Sequence, residues 1–530
     1  MHAVRPKLVI FDEPARRVDD GAIAEIHQIS NKVACDGLAS DRHFFPSAEN
    51  HEPLGSHPGN SATPDGRRLH GTPKAHQYMQ RCIKILTQQR PKIGVQSAAK
   101  GANMLDQLKL YLSNSSHSDL CSGVSAAAIS GWAMAEGSTR AAIDHADVAS
   151  LPPYGNSALP AGIRSRIVSN INGLAMHVLE AGFETKGRQC ILLLHGFPEL
   201  AYSWRKIILP LSAAGYHVVA PDQRGYGRTT GWDGAYDGDL DSFRITNLVK
   251  DALGLTSALG YRSVAAVIGH DFGSPVAACC AVIRPDVFRS VALMSASFGG
   301  PPPLPFNTAD APAAADKPDP SNVFADLANL DRPRKHYQQY YQTREANDDM
   351  WKAPQGVHAF LRAYYHFKSA DWKQNQPFKL SAFTAGELAK MPTYYIMDLG
   401  KGMPETVAEE MPSAKEVAAC RWLTEDDLDV YASEFARTGF QGGLQWYRCA
   451  GGKHAAELEM FSGRTIDVPA CFIAGKSDWG VYQNPGVFER MQTAACTQWR
   501  STSLVDGAGH WVQQEQPEEV SRLLLQFLKG

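Results

Sequence analysis

The run Gly269-His270-Asp271-Phe272-Gly273 places a carboxylate between small residues. Its neighbours predict a strand over residues 264–268 and a helix over residues 274–283. A tight strand-to-helix turn needs small residues and holds its central side chain out for reaction. Because a carboxylate is ionised near pH 7, Asp271 needs no base to attack an electrophile. The alternative is that Asp271 caps the helix that follows.

A histidine and a second acid follow in the order expected of a nucleophilic hydrolase. Nine histidines lie after Gly162, and only His510 lies in a glycine-rich loop between a late strand and the last helix. That position fits a base. Asp478 follows the preceding strand and either orients His510 or is a plain turn residue. The order nucleophile, acid, histidine is that of α/β-hydrolase triads.

The run His195-Gly196-Phe197-Pro198-Glu199 follows a short apolar strand at residues 191–194. A glycine at this place lets a backbone N–H point into a site, which is how an oxyanion hole is built. A simple strand-ending turn is the alternative.

The elements that must position these residues alternate along two stretches of the chain. Strands and helices alternate over residues 163–298, where Asn172-Gly173 predicts a hairpin turn, and again over 466–530. Such alternation predicts an α/β fold, with a mostly parallel sheet and helices on both faces. The intervening residues 299–465 are aromatic and helix-rich, and we expect a helical cap inserted before the later strands.

The first 162 residues differ from the rest of the chain. Only seven of the chain's aromatic residues fall there, and Ser, Gly, Ala, His and Pro are abundant. Such a stretch buries too little to offset its ordering entropy, so we predict a low-complexity or disordered N-terminal extension.

The overall composition excludes several classes of function. The net charge is −3, from 52 basic and 55 acidic residues, which argues against binding nucleic acid or an acidic membrane. Ten cysteines without a Cys-x-x-Cys pair favour neither a disulfide scaffold nor a zinc site. We identify no membrane span and no signal peptide, so a cytoplasmic, reduced protein is expected.

Several motifs together resemble the soluble epoxide hydrolases of the α/β-hydrolase fold. They are spread over residues 163–530: His195-Gly-Phe-Pro-Glu199, Ser203-Trp204-Arg205, Val219-Ala-Pro-Asp-Gln-Arg-Gly-Tyr-Gly-Arg228, Gly269-His-Asp-Phe-Gly273, Thr438-Gly-Phe-Gln-Gly-Gly-Leu-Gln-Trp-Tyr-Arg448 and Gly509-His-Trp511. The resemblance implies conversion of an epoxide and water to a vicinal diol, with no cofactor or metal.

The resemblance also assigns roles to residues. Two tyrosines of the cap would hold the epoxide oxygen, and the matching positions are Tyr447 and Tyr337, the latter with rivals in Tyr340 and Tyr341. Asp271 would form an ester, and His510 with Asp478 would activate water. The backbone N–H groups of Phe197 and Phe272 would bind the oxyanion. The alternative is that these tyrosines have a structural role and belong to the core of the cap.

Two other functions compete with this one. A haloalkane dehalogenase uses the same Asp nucleophile, His base and acid, but it needs side-chain N–H donors for the departing halide. Phe272 and Phe197 offer no such donor. A non-catalytic ligand-binding protein on the same fold is the second alternative, since fold does not fix function. That alternative predicts a broken triad, whereas every residue type of the triad is present.

Overall fold

The structure is a computed structural model that describes residues 148, 150–155, 158–304, 306 and 320–530. Most of the predicted N-terminal extension, residues 1–162, lies outside the described residues.

The described chain is built on an eight-stranded, mostly parallel sheet with the order β1-β2-β4-β3-β5-β6-β9-β10. β2 is antiparallel to both of its neighbours, and every pair from β4 to β10 is parallel. This sheet confirms the predicted α/β-hydrolase fold class. The strands are β1 Arg164–Ile171, β2 Leu174–Ala181, β3 Cys190–Leu194, β4 His217–Pro221, β5 Ala266–His270, β6 Val291–Met294, β7 Arg334–His336, β8 Ile396–Asp398, β9 Ile466–Gly475 and β10 Cys496–Val505.

The central strands are short apolar runs because helices cover both faces of the sheet. Every residue of β3, β4, β5 and β6 is buried, as expected for parallel strands. The β1–β2 hairpin turns at Asn172 and Gly173, whose φ angles of 48° and 84° are both left-handed. Such a turn matches the twist of the strands, and the sequence predicted it.

Helices flank the sheet and fill the segment between β6 and β9. They are α1 Arg205–Ala213, α2 Ile245–Ala258, α3 Gly273–Ile283, α4 Pro320–Ala328, α5 Tyr337–Tyr341, α6 Glu345–Trp351, α7 Gly356–Lys368, α8 Ala385–Leu388, α9 Met403–Ala408, α10 Ala414–Ala419, α11 Glu425–Thr438, α12 Gln441–Cys449, α13 Gly452–Ala455, α14 Val487–Arg490, α15 Val512–Glu515 and α16 Pro517–Leu528. Within the part of the chain that the structure describes, no helix is long and apolar enough to cross a membrane.

The segment between β6 and β9 packs on the loop that follows β4. Gly442 in α12 meets Gly225 so closely that a Cβ on Gly442 would lie 2.1 Å from the Gly225 carbonyl oxygen. Arg228 in the same loop forms a 2.8 Å ion pair with Glu434 in α11. The sequence predicted helices only, whereas the segment also contains the antiparallel pair β7–β8.

The folded unit begins upstream of residue 163. Tyr154 is buried, and the centroid of its ring lies 4.4 Å from that of the His177 ring and 6.2 Å from that of the Tyr202 ring. The Arg228 guanidinium lies over the same ring and donates a hydrogen bond to the Pro152 carbonyl. The unit therefore includes residues that the sequence analysis assigned to the extension.

Candidate active site

The turn between β5 and α3 forces Asp271 into a strained conformation. Its φ of 51° lies in the left-handed region, which residues other than glycine rarely adopt. The flanking glycines allow the turn, because a Cβ on Gly269 would lie 2.0 Å from the Gly273 carbonyl oxygen and one on Gly273 would lie 2.3 Å from the Leu194 carbonyl oxygen. The turn therefore explains both small residues of the motif and holds the carboxylate at the carboxyl end of the sheet.

His510 lies between two carboxylates. Its Nε2 is 3.2 Å from Oδ2 of Asp271, and its Nδ1 is 3.1 Å from Oδ1 of Asp478. The backbone N–H of Gly480 also donates to Oδ1 of Asp478 and fixes this acid. The contact with Asp478 favours the tautomer with its proton on Nδ1, so Nε2 can accept a proton beside Asp271.

The loop after β3 reaches the other oxygen of Asp271. The backbone N–H of Phe197 donates a 2.9 Å hydrogen bond to Oδ1 of Asp271. Gly196 allows this approach, because a Cβ there would lie 2.4 Å from the Asp271 side chain. Phe272 lies at the N-terminal cap of α3, where backbone N–H groups have no partner inside the helix.

Burial and nearby charge shift the pKa values of Asp271 and Asp478 in opposite directions. Burial would raise the pKa of Asp271, but the contact with His510 and the charge of Lys368 outweigh it and hold that pKa below its usual value. The pKa of Asp478 is lowered against burial in the same way, by His510 and by the Gly480 N–H. Both acids are therefore ionised at neutral pH.

Two phenols face the same space as Asp271. Tyr337 in α5 and Tyr447 in α12 line one cavity with the carboxylate, and their ring centroids are 6.1 Å apart. Burial and the nearby charge of Asp271 raise the pKa of both phenols well above the usual value. Both hydroxyls therefore keep their protons at neutral pH and can donate hydrogen bonds into the cavity.

The two rival tyrosines point elsewhere. The Tyr340 hydroxyl donates to Oδ2 of Asp349, and the Tyr341 hydroxyl donates to the Tyr364 hydroxyl. Neither lines the cavity that contains Asp271. The structure thus places Tyr337 and Tyr447, but neither Tyr340 nor Tyr341, on the wall of the cavity that contains Asp271.

The cavity is about 280 Å³ in volume and mostly apolar. Its walls combine apolar residues from the sheet side and from the inserted segment, including Phe243, Ile245, Leu248, Phe272, Trp446 and Leu458. Amide side chains of Gln338, Gln483 and Asn484 also line it. Such a site accepts a small, largely apolar molecule and presents one carboxylate and two phenols to it.

Comparison with known proteins agrees with this geometry. The family model for the alpha/beta hydrolase fold matches residues 189–517. Epoxide hydrolase B of Mycobacterium tuberculosis is 32% identical over 382 residues, which cover 68% of this chain and 98% of that protein.

The chain belongs to the epoxide hydrolase family of the α/β-hydrolase fold.

Further members of the family show the same likeness. Epoxide hydrolase A of Mycobacterium tuberculosis is also 32% identical to this chain, over 367 residues that cover 68% of this chain and 95% of that protein. The solved structure of an epoxide hydrolase from an endophytic Streptomyces superposes with a TM-score of 0.56 at 30% identity and covers 70% of this chain and 96% of its own.

This epoxide hydrolase family member also contains a buried ion pair that sequence reasoning left without a role. Nδ1 of His270 lies 2.6 Å from Oε2 of Glu199, and both side chains are fully buried. Burial would raise the pKa of Glu199, but His270 and the Gly196 N–H lower it. Burial would lower the pKa of His270, but the Glu199 charge raises it.

The Glu199–His270 pair connects two loops of the site, the loop after β3 and the loop after β10. Oε2 of Glu199 accepts the Gly196 N–H at 3.0 Å, and Nε2 of His270 lies 2.7 Å from the His510 carbonyl oxygen. It therefore ties the loop that carries Phe197 to the loop that carries His510. The sequence did place both residues inside motifs of the site. Glu199 ends the run His195-Gly-Phe-Pro-Glu199, and His270 precedes Asp271 in the run Gly269-His-Asp-Phe-Gly273.

Proposed function

We propose that the protein hydrolyses an epoxide to a vicinal diol through an ester of Asp271. The observation that carries this proposal is that Asp271 lines one cavity together with two protonated phenols. Nε2 of His510 lies 3.2 Å from Oδ2 of Asp271. A carboxylate, an acid for the leaving oxygen and a base for water are the three groups that the reaction needs.

In the first step Oδ2 of Asp271 attacks a ring carbon of the epoxide. The carbon–oxygen bond of the strained ring breaks, and its electron pair stays on the departing oxygen. Tyr337 and Tyr447 donate hydrogen bonds to that oxygen, and one of them transfers its proton. Because an alkoxide is a poor leaving group in water, this acid assistance contributes to the rate. The product of the step is an ester between the substrate and Asp271.

In the second step Nε2 of His510 removes a proton from water, and the hydroxide attacks the carbonyl carbon of the Asp271 ester. The negative charge develops on Oδ1, which already accepts the Phe197 N–H. Phe272 supplies the second backbone N–H. The bond between Cγ and Oδ2 then breaks, and Oδ2 leaves with the diol. Of the two protons of the water, one goes by way of His510 to the departing oxygen and the other returns to the phenolate left by the first step, so the carboxylate of Asp271 and both phenols are restored.

The inserted segment serves as the cap of this reaction, over the predicted range 299–465. It supplies both phenols, and its aromatic side chains exclude water from the apolar cavity. The remaining walls of the cavity favour an epoxide with an apolar substituent of modest size.

A dehalogenase fits the cavity less well. Trp446 lines the cavity, but its Nε1–H donates to the Arg224 carbonyl at 2.9 Å and is not available to a halide, so the amides of Gln338, Gln483 and Asn484 are the side-chain N–H donors that remain. A non-catalytic binding protein would have no need of Asp271 and His510 at contact distance.

The deciding experiment follows oxygen through a single turnover. Excess enzyme is mixed with styrene oxide in ¹⁸O-labelled water, and the diol and the peptide that contains Asp271 are weighed by mass spectrometry. The ester route places ¹⁸O in Asp271 and leaves the first diol unlabelled. Label in the first diol with none in Asp271 would mean direct attack of water. A parallel assay with a chloroalkane tests for halide release.

A further inference from the structure

The two phenols that line the cavity differ in their hydrogen-bond partners. The Tyr337 hydroxyl accepts an N–H from the side chain of Gln338 at 3.1 Å and donates to Oε1 of Gln483 at 3.4 Å. The Tyr447 hydroxyl has no hydrogen-bond partner in the part of the chain that the structure describes. Of the two phenolic oxygens, only that of Tyr337 therefore receives an N–H from a described residue.

The start of α5 holds Tyr337 and Gln338 in place. The backbone N–H of Tyr337 donates to the Tyr395 carbonyl at 2.8 Å, and the ring centroids of these two tyrosines are 5.1 Å apart. The backbone N–H of Gln338 donates to Nδ1 of His336 at 3.3 Å. Because both backbones are fixed, the Gln338 amide stays within reach of the Tyr337 hydroxyl.

The surroundings of Tyr447 are mostly apolar rings. The centroid of its ring lies 5.2 Å from that of Phe272 and 5.5 Å from that of Phe197. The ring of Tyr341 also packs against it, at 4.9 Å, but the Tyr341 hydroxyl donates to Tyr364. These neighbours bring no N–H or O–H to the Tyr447 oxygen.

An acid that gives up its proton in an apolar cavity must hold the negative charge that remains. A buried charge without a hydrogen-bond partner is costly, and an N–H donor stabilises an anion more than it stabilises the neutral group. The Gln338 N–H therefore favours a phenolate on Tyr337 over one on Tyr447.

We propose that Tyr337 transfers its proton to the epoxide oxygen, that Tyr447 only donates a hydrogen bond to this oxygen, and that Gln338 is a positioning residue acting through Tyr337. As the ring carbon–oxygen bond breaks, the O–H bond of Tyr337 also breaks. The proton goes to the epoxide oxygen, and the electron pair stays on the phenolic oxygen that accepts the Gln338 N–H. The inference rests on the function proposed above, because it concerns the acid of that reaction.

The contact with Gln483 leaves the Tyr337 hydrogen free to turn toward a substrate. At 3.4 Å this hydrogen bond is long and therefore weak. An epoxide oxygen at ordinary hydrogen-bond distance competes with it, while the Gln338 N–H keeps its place on the phenolic oxygen.

The electrostatics of the two hydroxyls agree with this assignment. Burial raises the pKa of Tyr337 and of Tyr447, and the charge of Asp271 adds to the effect on both. The hydrogen bond from Gln338 lowers the pKa of Tyr337 and has no counterpart at Tyr447 among the described residues.

The test is a double-mutant cycle on the full-length protein. Consumption of styrene oxide is followed in a single turnover with excess enzyme, so that the rate reports ring opening. Gln338→Met removes the N–H at nearly constant size and should slow ring opening roughly 10- to 100-fold, the range of a hydrogen bond to a charged group. Gln339→Met, at the next residue of α5, which does not line the cavity, is the matched control and should leave the rate unchanged.

The tyrosine backgrounds separate the positioning role from a structural one. In Tyr447→Phe, the added Gln338→Met should slow ring opening by the same factor as in the parent protein. In Tyr337→Phe, where the acid that Gln338 serves is missing, it should change the rate by less than about twofold. Tyr337→Phe alone should be slower than Tyr447→Phe alone.

Equal slowing by Gln338→Met in both tyrosine backgrounds overturns the proposal, and so does a Tyr447→Phe protein that is slower than Tyr337→Phe. Gln338→Glu keeps the shape of the side chain but replaces the N–H donor by a carboxylate oxygen. It takes the place of Gln338→Met if that variant does not fold, and it should slow ring opening at least as much.

Failure of the proposed function gives a different result. A folded parent protein that leaves styrene oxide intact overturns the reaction itself, and the inference falls with it. A parent protein that consumes styrene oxide while the effects of Gln338→Met and Tyr337→Phe multiply overturns the inference alone.

Discussion

Nε2 of His510 lies 3.2 Å from Oδ2 of Asp271, while the other oxygen of the same carboxylate accepts the Phe197 N–H. The two oxygens therefore have different surroundings before any substrate binds. Oδ1 accepts a backbone N–H, and Oδ2 lies beside the imidazole of His510. This asymmetry supports the proposal in which Oδ2 attacks the epoxide and Oδ1 carries the developing charge, and it leads to the predictions that follow.

Replacing His510 should trap the ester. In His510→Gln the first step keeps its nucleophile and acids, whereas water loses its base. We expect an adduct of the substrate's mass on the peptide that contains Asp271, detected by intact-protein and peptide mass spectrometry after mixing with styrene oxide. His358→Gln, at a side chain 42% exposed in α7, is the control and should turn over without an adduct. An adduct on another residue would contradict the assignment of Asp271.

Removing the two phenols should remove the acid. Tyr337→Phe or Tyr447→Phe alone should leave partial activity, because the other hydroxyl still donates. The double variant should lose roughly 10²–10⁴-fold in the rate of ring opening. Stopped-flow or diol assays measure the rate, and circular dichroism checks the fold.

Tyr341→Phe is the matched control for the phenols. Its ring lies 4.9 Å from that of Tyr447, but its hydroxyl donates to Tyr364 outside the cavity. It should open epoxides at near the parent rate. A double variant of Tyr337 and Tyr447 that stays as fast as the parent would show that neither phenol is the acid.

The Glu199–His270 pair should stabilise the fold most strongly at mildly acidic pH. The lowered pKa of Glu199 gives a contribution that is present above its unfolded value of about 4.5 and lost as pH falls. The raised pKa of His270 gives a contribution that is full below its unfolded value of about 6.5 and lost as pH rises through the higher folded value. The two pH ranges overlap between the unfolded pKa of Glu199, about 4.5, and that of His270, about 6.5.

Glu199→Gln should therefore cost roughly 3–5 kcal/mol of unfolding free energy near pH 5.5, since it leaves one partner of a buried pair. Urea unfolding at a series of pH values measures this difference, which should shrink at alkaline pH. Glu519→Gln, at a side chain 42% exposed in α16 whose partner Arg522 is also exposed, is the control and should change little. A difference between parent and Glu199→Gln that does not vary with pH would mean that the pair is not ionised.

The position of Tyr154 predicts where the chain can be shortened. A chain that begins at residue 147 should keep the melting temperature and activity of the full chain. One that begins at residue 162 loses Tyr154 and should melt at a lower temperature. Tyr154→Ala in the full chain should cost roughly 3 kcal/mol, typical of a buried aromatic residue. Phe306→Ala, at a residue 59% exposed, is the control. Equal melting temperatures for the two shortened chains would contradict this role of Tyr154.

The sequence alone predicted the elements that strong local patterns specify. The apolar run of β3, the glycines around Asp271 and the Asn172-Gly173 turn each depend on neighbours along the chain, and the structure has each where it was expected. The β7–β8 pair was missed because both strands are three residues long and pair with each other across the inserted segment. Tyr154 was missed because one aromatic residue in a polar stretch gives no periodic signal.

The sequence by itself determined the fold class and the types of residue in the site, because hydrophobic periodicity and turn chemistry are local. Only the tertiary structure decided which tyrosine of α5 faces Asp271, since Tyr337, Tyr340 and Tyr341 differ in direction and not in type. It alone joined Glu199 to His270 and brought the backbone N–H of His510 to the Lys368 carbonyl. Burial of charge depends on which distant segments meet, and this information is not contained in any single stretch of the chain.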